Sequence, residues 1–265
     1  MEKLNGKVVF ITGASSGIGR ALAIEFAKLQ CKLFLTGRNV AELEQTAAAC
    51  RNYTNDIYIE KLDVAISNDI IAAVEKVLYI YGKVDILINN AGISQRSLVA
   101  ETPIDIDRKL MEVNYFGTIA VTKALLPNFE KLGSGHIVVI SSMVGLFGFN
   151  SRSAYAASKH ALHGFFETLQ IEQPIKNLYT TIICPGRIQT NISLSAITAT
   201  GQVHGQMDAG QANGIPVYIC AQKIIKAMLQ KKYLYIIAKE EKWLWRIKKL
   251  SLNLFIRIAR NVKPN

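Results

Sequence analysis

The stretch that decides the fold is TGASSGIGR, residues 12–20, which joins two segments of different periodicity. Before it, KVVFITG (7–13) is a short apolar run that predicts a buried strand, and after it RALAIEFAKLQ (20–30) predicts a helix. Glycines in this turn let the backbone approach a bound group, and the start of the helix offers unpaired N–H groups and a positive dipole end. The turn therefore predicts a site for the pyrophosphate of a dinucleotide, with a purely structural turn as the alternative. Its glycines are Gly13, Gly17 and Gly19.

Short apolar runs alternate with helical segments from the N-terminus to residue 186. The predicted strands are 7–13, 32–38, 56–64, 84–92, 135–142 and 180–186. The predicted helices are 20–30, 41–52, 69–82, 105–132 and 154–172. This βαβ alternation predicts an α/β protein with a single doubly wound parallel sheet and helices on both faces, the Rossmann fold. Residues 189–214 are rich in small polar residues and predict a mobile insertion of the kind that often forms a lid.

The composition predicts a single hydrophobic core, and the charged residues give the chain a basic C-terminal part. The 265 residues are 50% hydrophobic, which is ample for a single domain. The net charge is +11, yet the first 220 residues are nearly neutral. After residue 220, twelve Lys and Arg residues stand against two acidic residues, so the positive charge lies almost entirely in the C-terminal part. A segment of that sign can attract anionic lipid or nucleic acid, or it can be a solvated surface.

Targeting, membrane-span and metal signals are weak in this chain. Because a strand is predicted from Lys7, we expect no signal peptide. The two uncharged twenty-residue runs, 132–151 and 188–207, contain too many polar residues to predict a membrane span. The four cysteines form no C-x-x-C motif, so we expect buried thiols in a reducing compartment and a cytoplasmic protein. His160 and His163 lack a third ligand, so no metal site is predicted.

The end of the second predicted strand indicates which dinucleotide binds. An acidic residue there holds the ribose 2′-hydroxyl of NAD, whereas this chain has Gly37 followed by Arg38. A guanidinium binds a 2′-phosphate, often through two hydrogen bonds, whereas a carboxylate repels it. We therefore expect NADP(H) as the cofactor, with an ordinary surface arginine as the alternative reading of Arg38.

The segment YAASK (155–159) places a tyrosine four residues before a lysine. On a helix these side chains share a face, and a fixed cation beside a phenol favours the phenolate. Such a phenol can exchange a proton with a substrate oxygen near neutral pH. Spacing alone does not select this pair, because two others have the same spacing: Tyr79/Lys83 and Tyr235/Lys239.

Six motifs occur together, in order and at familiar intervals, and jointly resemble the short-chain dehydrogenase/reductase family. They are TGASSGIG (12–19), NNAG (89–92), Asn114, Ser142, YAASK (155–159) and PGRIQT (185–190). The resemblance covers about residues 5–230. The segments SQRSL (94–98) and GQMDAGQANG (205–214) further resemble the branch of the member-seven dehydrogenase/reductases and microsomal hydroxysteroid dehydrogenases.

This resemblance implies roles for individual residues. Tyr155 exchanges the proton, Lys159 lowers the pKa of the phenol and holds the nicotinamide ribose, Ser142 binds the reacting oxygen, and Asn114 supports a proton-relay water. The implied cofactor contacts are Gly13, Ser15, Ser16, Gly17, Ile18, Gly19, Arg38, Asp63, Val64, Asn90, Ala91, Gly92, Tyr155, Lys159, Pro185, Gly186, Ile188 and Thr190. We expect an NADP(H)-binding catalytic domain over 1–238 and a basic extension over 239–265.

The implied activity is the NADP(H)-dependent interconversion of a carbonyl and a secondary alcohol, on a small hydrophobic substrate such as a steroid, retinoid or lipid. A 3-oxoacyl-thioester reductase is the alternative within enzymes, and a non-catalytic NADPH-binding protein is the alternative outside them. The substrate pocket is expected to form from residues 93–100, 143–152 and 189–214. A homo-oligomer, dimer or tetramer, is also expected.

The basic extension contains EEKWLWRIKKLSLNLFIRIAR (240–260). Read as one helix, it places five apolar side chains on one face and four cations on another. Such a helix suits a membrane interface, and it equally suits packing on the enzyme's own body or on a neighbouring subunit. No motif supports nucleic-acid binding. The apolar residues are Trp243, Ile247, Leu250, Leu254 and Ile258, and the cations are Arg246, Lys249, Arg257 and Arg260.

Overall fold

The computed structural model describes residues 4–172 and 175–262 and contains one seven-stranded parallel sheet. The strands are β1 (Val8–Ile11), β2 (Lys32–Gly37), β3 (Ile57–Lys61), β4 (Ile86–Asn89), β5 (Ser134–Ile140), β6 (Asn177–Pro185) and β7 (Leu234–Ile237). Their order across the sheet is β3-β2-β1-β4-β5-β6-β7. The predicted doubly wound fold is confirmed.

Helices cover both faces of the sheet. They are α1 (Gly17–Lys28), α2 (Val40–Arg51), α3 (Ser67–Tyr81), α4 (Ile104–Met111), α5 (Gly117–Leu132), α6 (Ser153–Glu172), α7 (Ala209–Ala212), α8 (Val217–Leu229), α9 (Glu241–Leu250) and α10 (Leu252–Ala259). Successive strand residues enter opposite layers, as strand geometry requires: Val8 and Phe10 pack beneath α3, α5 and α6, whereas Val9 and Ile11 pack beneath α1, α2 and α8. The sheet therefore lies between two buried hydrophobic cores, one on each face.

The strand order reverses between β1 and β4, and this point defines the site. In an open parallel sheet, ligands bind in the crevice at the carboxyl ends of the strands where the order reverses. The glycine-rich turn 12–20 follows β1, and the NNAG segment 89–92 follows β4. The fold therefore brings two motifs that are far apart in sequence to the same crevice.

Three parts of the fold depart from the sequence prediction. The predicted helix 105–132 is interrupted by a π-helical turn, Glu112–Phe116, which widens the helix around Asn114. Helix α8 and strand β7 lie beyond the last strand that apolar runs predicted. The predicted single helix over 240–260 is wrong, because Ser251 is extended, with φ of −155°, and separates α9 from α10.

The break at Ser251 has a local cause. Its hydroxyl accepts a hydrogen bond from the amide of Leu254 and so caps α10. The restart turns Phe255 onto the body of the protein, where its ring lies 5.6 Å from that of Phe147. In the part of the chain that the structure describes, no helix is both long enough and apolar enough to cross a membrane. The last three residues of the predicted extension, 263–265, lie outside the described residues.

Candidate active site

One cavity of about 720 Å³ lies at the carboxyl ends of the strands. Its walls include the turn after β1, the NNAG segment after β4, the first turns of α6, and the segment 185–192 after β6. The pocket segments expected from sequence also line it, through residues such as Arg96, Phe149 and Asp208. Every predicted site residue except Gly19 and Asn114 reaches this cavity.

The turn after β1 and the NNAG segment are locked together by hydrogen bonds. The amides of Asn90 and Ala91 donate to the hydroxyl of Thr12 at 3.0 and 3.1 Å. The side-chain amide of Asn90 donates to the carbonyls of Thr12 and Gly13 at 3.0 and 2.9 Å. Gly19 lies next to these hydrogen bonds, where an added Cβ would overlap the Gly13 carbonyl and the Asn90 side chain. Gly19 therefore packs closely against this turn, and its expected contact with the cofactor stays a prediction.

The N-terminus of α1 fits an anionic ligand. Ser16 occupies the cap position, but its side chain makes no capping hydrogen bond, and Ser15, Ser16, Gly17 and Ile18 all face the cavity. The backbone N–H groups of this first turn are therefore available to a pyrophosphate, with the helix dipole adding to the attraction. Gly13 has φ of +65°, and a Cβ there would overlap the backbone of Ala91, so this position of the turn requires glycine. The residues present thus fit a dinucleotide.

The far wall, after β2, carries one charge of each sign. Arg38 is exposed, lines the cavity and makes no hydrogen bond through its side chain within the described residues. Asn39 caps α2 by accepting from the amide of Glu42 at 3.2 Å, and Glu42 also lines the cavity. Asp63, after β3, accepts from the amide of Ala65 at 3.0 Å. The arrangement leaves the guanidinium of Arg38 available for a ligand.

Tyr155, Ser142 and Lys159 meet on the opposite wall. Tyr155 lies in the first turn of α6 and is only 8% exposed. Ser142 lies two residues after β5, and its hydroxyl is close enough to the phenol to lower the pKa of Tyr155. The neighbouring Ser141 instead bonds His163, at 2.9 Å between hydroxyl and imidazole. The structure thus places Ser142, and not Ser141, beside Tyr155.

Lys159 is buried one helical turn after Tyr155. Its Nζ lies 5.9 Å from the centre of the Tyr155 ring and donates to the carbonyl of Ile140 at 2.9 Å. Burial lowers the pKa of Lys159 to about 8. The side chain therefore remains mostly protonated at neutral pH, although burial makes its charge costly.

Burial and two nearby arginines act in opposite directions on the pKa of Tyr155. Burial raises the pKa of Tyr155 above its ordinary value, while the hydrogen bond with Ser142 and the charges of Arg152 and Arg96 lower it. The expectation that Lys159 lowers the pKa of the phenol stays a prediction. Lys159 shares its helix face with the ring, whereas Arg152 and Arg96 approach the phenol from other segments.

Asn114 supports the site from behind the cavity wall. Its side-chain oxygen accepts from the amide of Ile93 at 2.8 Å, and its side-chain nitrogen donates to the carbonyl of Ile93 and the hydroxyl of Ser158, each at 3.0 Å. Asn114 thereby connects the π-helical turn to the segment after β4 and to α6. The sequence predicted Asn114 as a site residue; in the structure it lies behind the cavity lining and connects two of its segments by hydrogen bonds.

Sequence reasoning missed an ionic cluster formed by Arg96, Arg152 and Asp208. Arg96 binds the Asp208 carboxylate through two nitrogens, and Arg152 contacts the same carboxylate at 3.3 Å. The three side chains are 7–13% exposed. Burial raises the pKa of Asp208, but the hydrogen bond and charge of Arg96 outweigh it, so this pKa is held below its ordinary value. The cluster connects residues 189–214 to the site, and its only signals in the sequence were the segments SQRSL and GQMDAGQANG, which contain Arg96 and Asp208.

The C-terminal helices complete the mouth of the cavity. Leu244 and Val262 line it, and Glu241 accepts a hydrogen bond from the amide of Arg187 at 2.9 Å. Lys248 donates to the carbonyl of Leu146 at 2.8 Å. The inner face of this extension therefore packs on the body of the protein, which is one of the two arrangements expected from the sequence.

The remaining sequence candidates lie away from the cavity. Tyr79 is 88% exposed on α3, and Tyr235 lies on β7, where residues four apart are not on a helix face. All four cysteines are buried and free, as predicted. Among the described residues, no group of three or more His, Cys, Asp or Glu could hold a metal ion.

Three comparisons connect this site to known proteins. Residues 7–200 match the family model described as short chain dehydrogenase. A mouse protein named dehydrogenase/reductase SDR family member 7B is 44% identical over 233 residues, which cover 86% of this chain and 72% of that protein. A Drosophila melanogaster protein named dehydrogenase/reductase SDR family protein 7-like is 44% identical over 235 residues, covering 87% and 72%. The crystal structure of a short chain dehydrogenase/reductase from Burkholderia phymatum in complex with NAD has a TM-score of 0.85, 24% identity and 96% coverage of both chains, which shows the common fold.

Proposed function

The chain belongs to the short-chain dehydrogenase/reductase family, in the member 7 branch, and on this basis we propose that it interconverts a carbonyl and a secondary alcohol with NADP(H). The proposed substrate is a small hydrophobic molecule. The supporting observation is one continuous cavity with the uncapped N-terminus of α1 on one wall and Tyr155, Ser142 and Lys159 on another. These residues would hold a dinucleotide at the first wall, and its reactive end would then be within reach of the second.

In the proposed reaction some residues of this chain bind the reacting oxygen, and one transfers the proton. A nicotinamide cofactor supplies a hydride to the substrate carbon during reduction, or accepts one during oxidation. Tyr155 donates a proton to the carbonyl oxygen in reduction and removes the hydroxyl proton in oxidation. Ser142 holds the reacting oxygen by a hydrogen bond, and the charge of Lys159 favours the phenolate that reduction leaves behind.

The lining of the substrate side supports a hydrophobic substrate. Met143, Val144, Phe147 and Phe149 line the cavity beside the catalytic wall, and Leu244 reaches it from α9. Apolar pockets with a few polar groups hold small molecules by burying their surface, and the polar groups fix the orientation. A 3-oxoacyl-thioester reductase is the second candidate, since an acyl chain could occupy the same apolar wall.

The direct test is oxidation of NADPH with a panel of ketosteroids, retinals, long-chain ketones and 3-oxoacyl thioesters. We expect turnover with at least one class, and a Tyr155→Phe variant at least about a hundredfold slower with NADPH binding retained. The matched control is Tyr79→Phe, which removes the same oxygen from an exposed tyrosine on α3. No turnover with any carbonyl, or equal rates for the two variants, would contradict the proposed catalytic function.

The choice of NADP(H) over NAD(H) depends on Arg38. An Arg38→Ala variant should lose about tenfold to a hundredfold in affinity for NADPH, the value of a charge-assisted hydrogen bond to the 2′-phosphate, and little for NADH. Glu42→Gln is the matched control, because it removes the opposite charge from the same wall and should not weaken NADPH. Equal losses for both dinucleotides in Arg38→Ala would show that this guanidinium does not recognise the phosphate.

We further propose that the outer face of α9 and α10 contacts an anionic membrane. Large apolar side chains are exposed there beside the four cations Arg246, Lys249, Arg257 and Arg260, which are also exposed. Apolar side chains beside cations suit a membrane interface, where each cation near anionic lipid contributes about 1 kcal/mol. Such contact would bring the cavity mouth to a surface that concentrates apolar substrates. The apolar residues are Trp243, Leu250, Leu252, Leu254 and Ile256.

Co-sedimentation with vesicles tests the membrane contact. The full chain should pellet with anionic vesicles at low salt and remain in the supernatant with neutral ones. Reversing two charges, Arg246→Glu with Lys249→Glu, should abolish pelleting, whereas Arg108→Glu with Lys109→Glu on α4 should not. Equal pelleting of both double variants would refute a membrane role for this face.

We also propose that the protein forms a homo-oligomer, a dimer or a tetramer, as its family resemblance implies. Sedimentation-velocity measurement of the mass in solution distinguishes these states, and a monomer at micromolar concentration would contradict the proposal.

A further inference from the structure

The first turn of the catalytic helix is capped from a distant part of the chain. Helix α6 begins at Ser153, and the residue before it, Arg152, has only hydrogen-bond donors on its side chain and cannot cap. The side-chain oxygen of Gln95 instead accepts from the amide of Ala154 at 3.0 Å and from the amide of Tyr155 at 3.2 Å. A helix leaves its first amides without internal partners, so this oxygen replaces the missing cap.

Gln95 is held so that its oxygen faces the helix. The residue is completely buried. Its side-chain nitrogen, which carries two hydrogens, lies within hydrogen-bonding distance of three hydroxyls, those of Ser97 at 3.0 Å and of Thr102 and Ser153 at 3.2 Å each. The amides of Ala154 and Tyr155 can only donate, so they require the oxygen end of the Gln95 side chain to face α6. Gln95 also pairs with Ile197, so the same residue contacts the segment that covers the cavity.

We infer that Gln95 is a positioning residue for Tyr155. It holds the backbone amide of the tyrosine itself, and the position of the phenol relative to Ser142 follows from that of its backbone. A misplacement of a reacting group by about 1 Å can cost about a hundredfold in rate. The inference depends on the proposed role of Tyr155 as proton donor and acceptor, and it assigns the control of its geometry to a residue 60 positions earlier in the chain.

The experiment compares three variants of the full chain by steady-state kinetics and by NADPH affinity. Gln95→Met keeps the length of the side chain but removes the acceptor, and its kcat should fall at least about tenfold while NADPH affinity changes less than about threefold. Gln95→Glu keeps the acceptor, and the Ser97, Thr102 and Ser153 hydroxyls can turn to donate to it. Its kcat should lie within about threefold of wild type, a rescue that bulk loss of stability cannot produce.

Gln170→Met is the matched control on the same helix. The Gln170 side chain accepts from the amide of Thr180 at 3.2 Å, and it lies about 22 Å along the helix from Tyr155. This variant also loses a side chain to backbone hydrogen bond, but its kcat should remain within about twofold of wild type. A kcat in Gln95→Met no lower than in Gln170→Met would overturn the inference.

Gln95→Glu carries the test if Gln95→Met does not fold. A tenfold loss of kcat in folded Gln95→Glu, with NADPH binding intact, would also overturn the inference. The proposed function fails in a different way, through absence of turnover in the wild type or through full activity of Tyr155→Phe. The two failures are therefore distinguishable.

Discussion

Replacing Asp85 tests how the centre of the sheet is held together. Asp85 precedes β4, and its carboxylate accepts a hydrogen bond from the amide of Val8, the first residue of β1, at 2.9 Å. The amide of Asp85 donates in return to the carbonyl of Val8 at 3.0 Å. Lys7 and Lys83 donate to the same carboxylate at 2.8 and 3.2 Å. The side chain thus takes the place of a strand partner for β1.

The magnitude follows from what each substitution removes. Asp85→Ala leaves the amide of the buried Val8 without an acceptor, which costs about 1–3 kcal/mol. It also removes two ion pairs to half-exposed lysines, worth about 0–1 kcal/mol each. We expect a total loss of about 3 kcal/mol. Asp85→Asn keeps an acceptor for Val8 and loses only the ion pairs, so we expect about 1 kcal/mol.

Thermal unfolding of the apo protein measures these losses. An entropy of unfolding of about 2.1 cal/mol/K per residue converts 3 kcal/mol to a fall in Tm of about 5 °C for a chain of this size. Asp56→Ala is the control, because Asp56 contacts Lys32 at 3.7 Å with 57% of its side chain exposed. That variant should change the free energy of unfolding by less than about 1 kcal/mol.

The effect of Asp85 also depends on pH. Burial raises the pKa of Asp85, but hydrogen bonds from Lys7, Val8 and Lys83 outweigh it and hold the pKa below its ordinary value of 3.8. Its stabilisation is therefore complete above pH 3.8 and is lost as the pH falls through the lowered pKa. Equal Tm values for Asp85→Ala and Asp56→Ala at pH 7, or a difference that does not shrink in acid, would refute this reasoning.

The remaining predictions concern the site and the thiols. Because burial raises the pKa of Tyr155, the rate of alcohol oxidation should rise with pH through the alkaline range, whereas the rate of carbonyl reduction should stay flat near neutrality; stopped-flow rates over a pH series check this, and an oxidation rate independent of pH would contradict it. Gly19→Ala should abolish NADPH binding in fluorescence titration, since its Cβ would overlap the Gly13 carbonyl and distort the turn around it; unchanged affinity would show that the turn tolerates the displacement. Burial raises the pKa of the four thiols, Cys31, Cys50, Cys184 and Cys220, to about 12. The native protein should therefore resist iodoacetamide at pH 8 and react only after unfolding. Rapid alkylation of the native protein, counted by mass spectrometry, would disprove the burial of these thiols.

The sequence by itself determined the parts of this protein that depend on neighbouring residues. Apolar runs of strand length alternating with helical periods are local signals, and they predicted six of the strands in the sheet. The glycine turn after β1 is equally local, because a strand, a tight turn and a helix N-terminus are consecutive in the chain. The spacing of Tyr155 and Lys159 on one helix face also follows from helical geometry alone. These local features were sufficient to indicate a dinucleotide-binding α/β protein with a proton-transferring tyrosine.

The tertiary structure alone decided which groups surround that tyrosine. Arg96 and Asp208 are 112 positions apart, and Gln95 caps a helix that begins 58 positions later, so no local pattern reports either contact. Burial and charge set a pKa through everything within a few ångströms, which depends on how distant segments pack. The extension shows the same limit, since its helical period predicted one helix, whereas the hydroxyl of Ser251 and the burial of Phe255 divide it into two. Contacts of this kind depend on how segments that are distant in the sequence pack against one another, and that packing exists only in the folded chain.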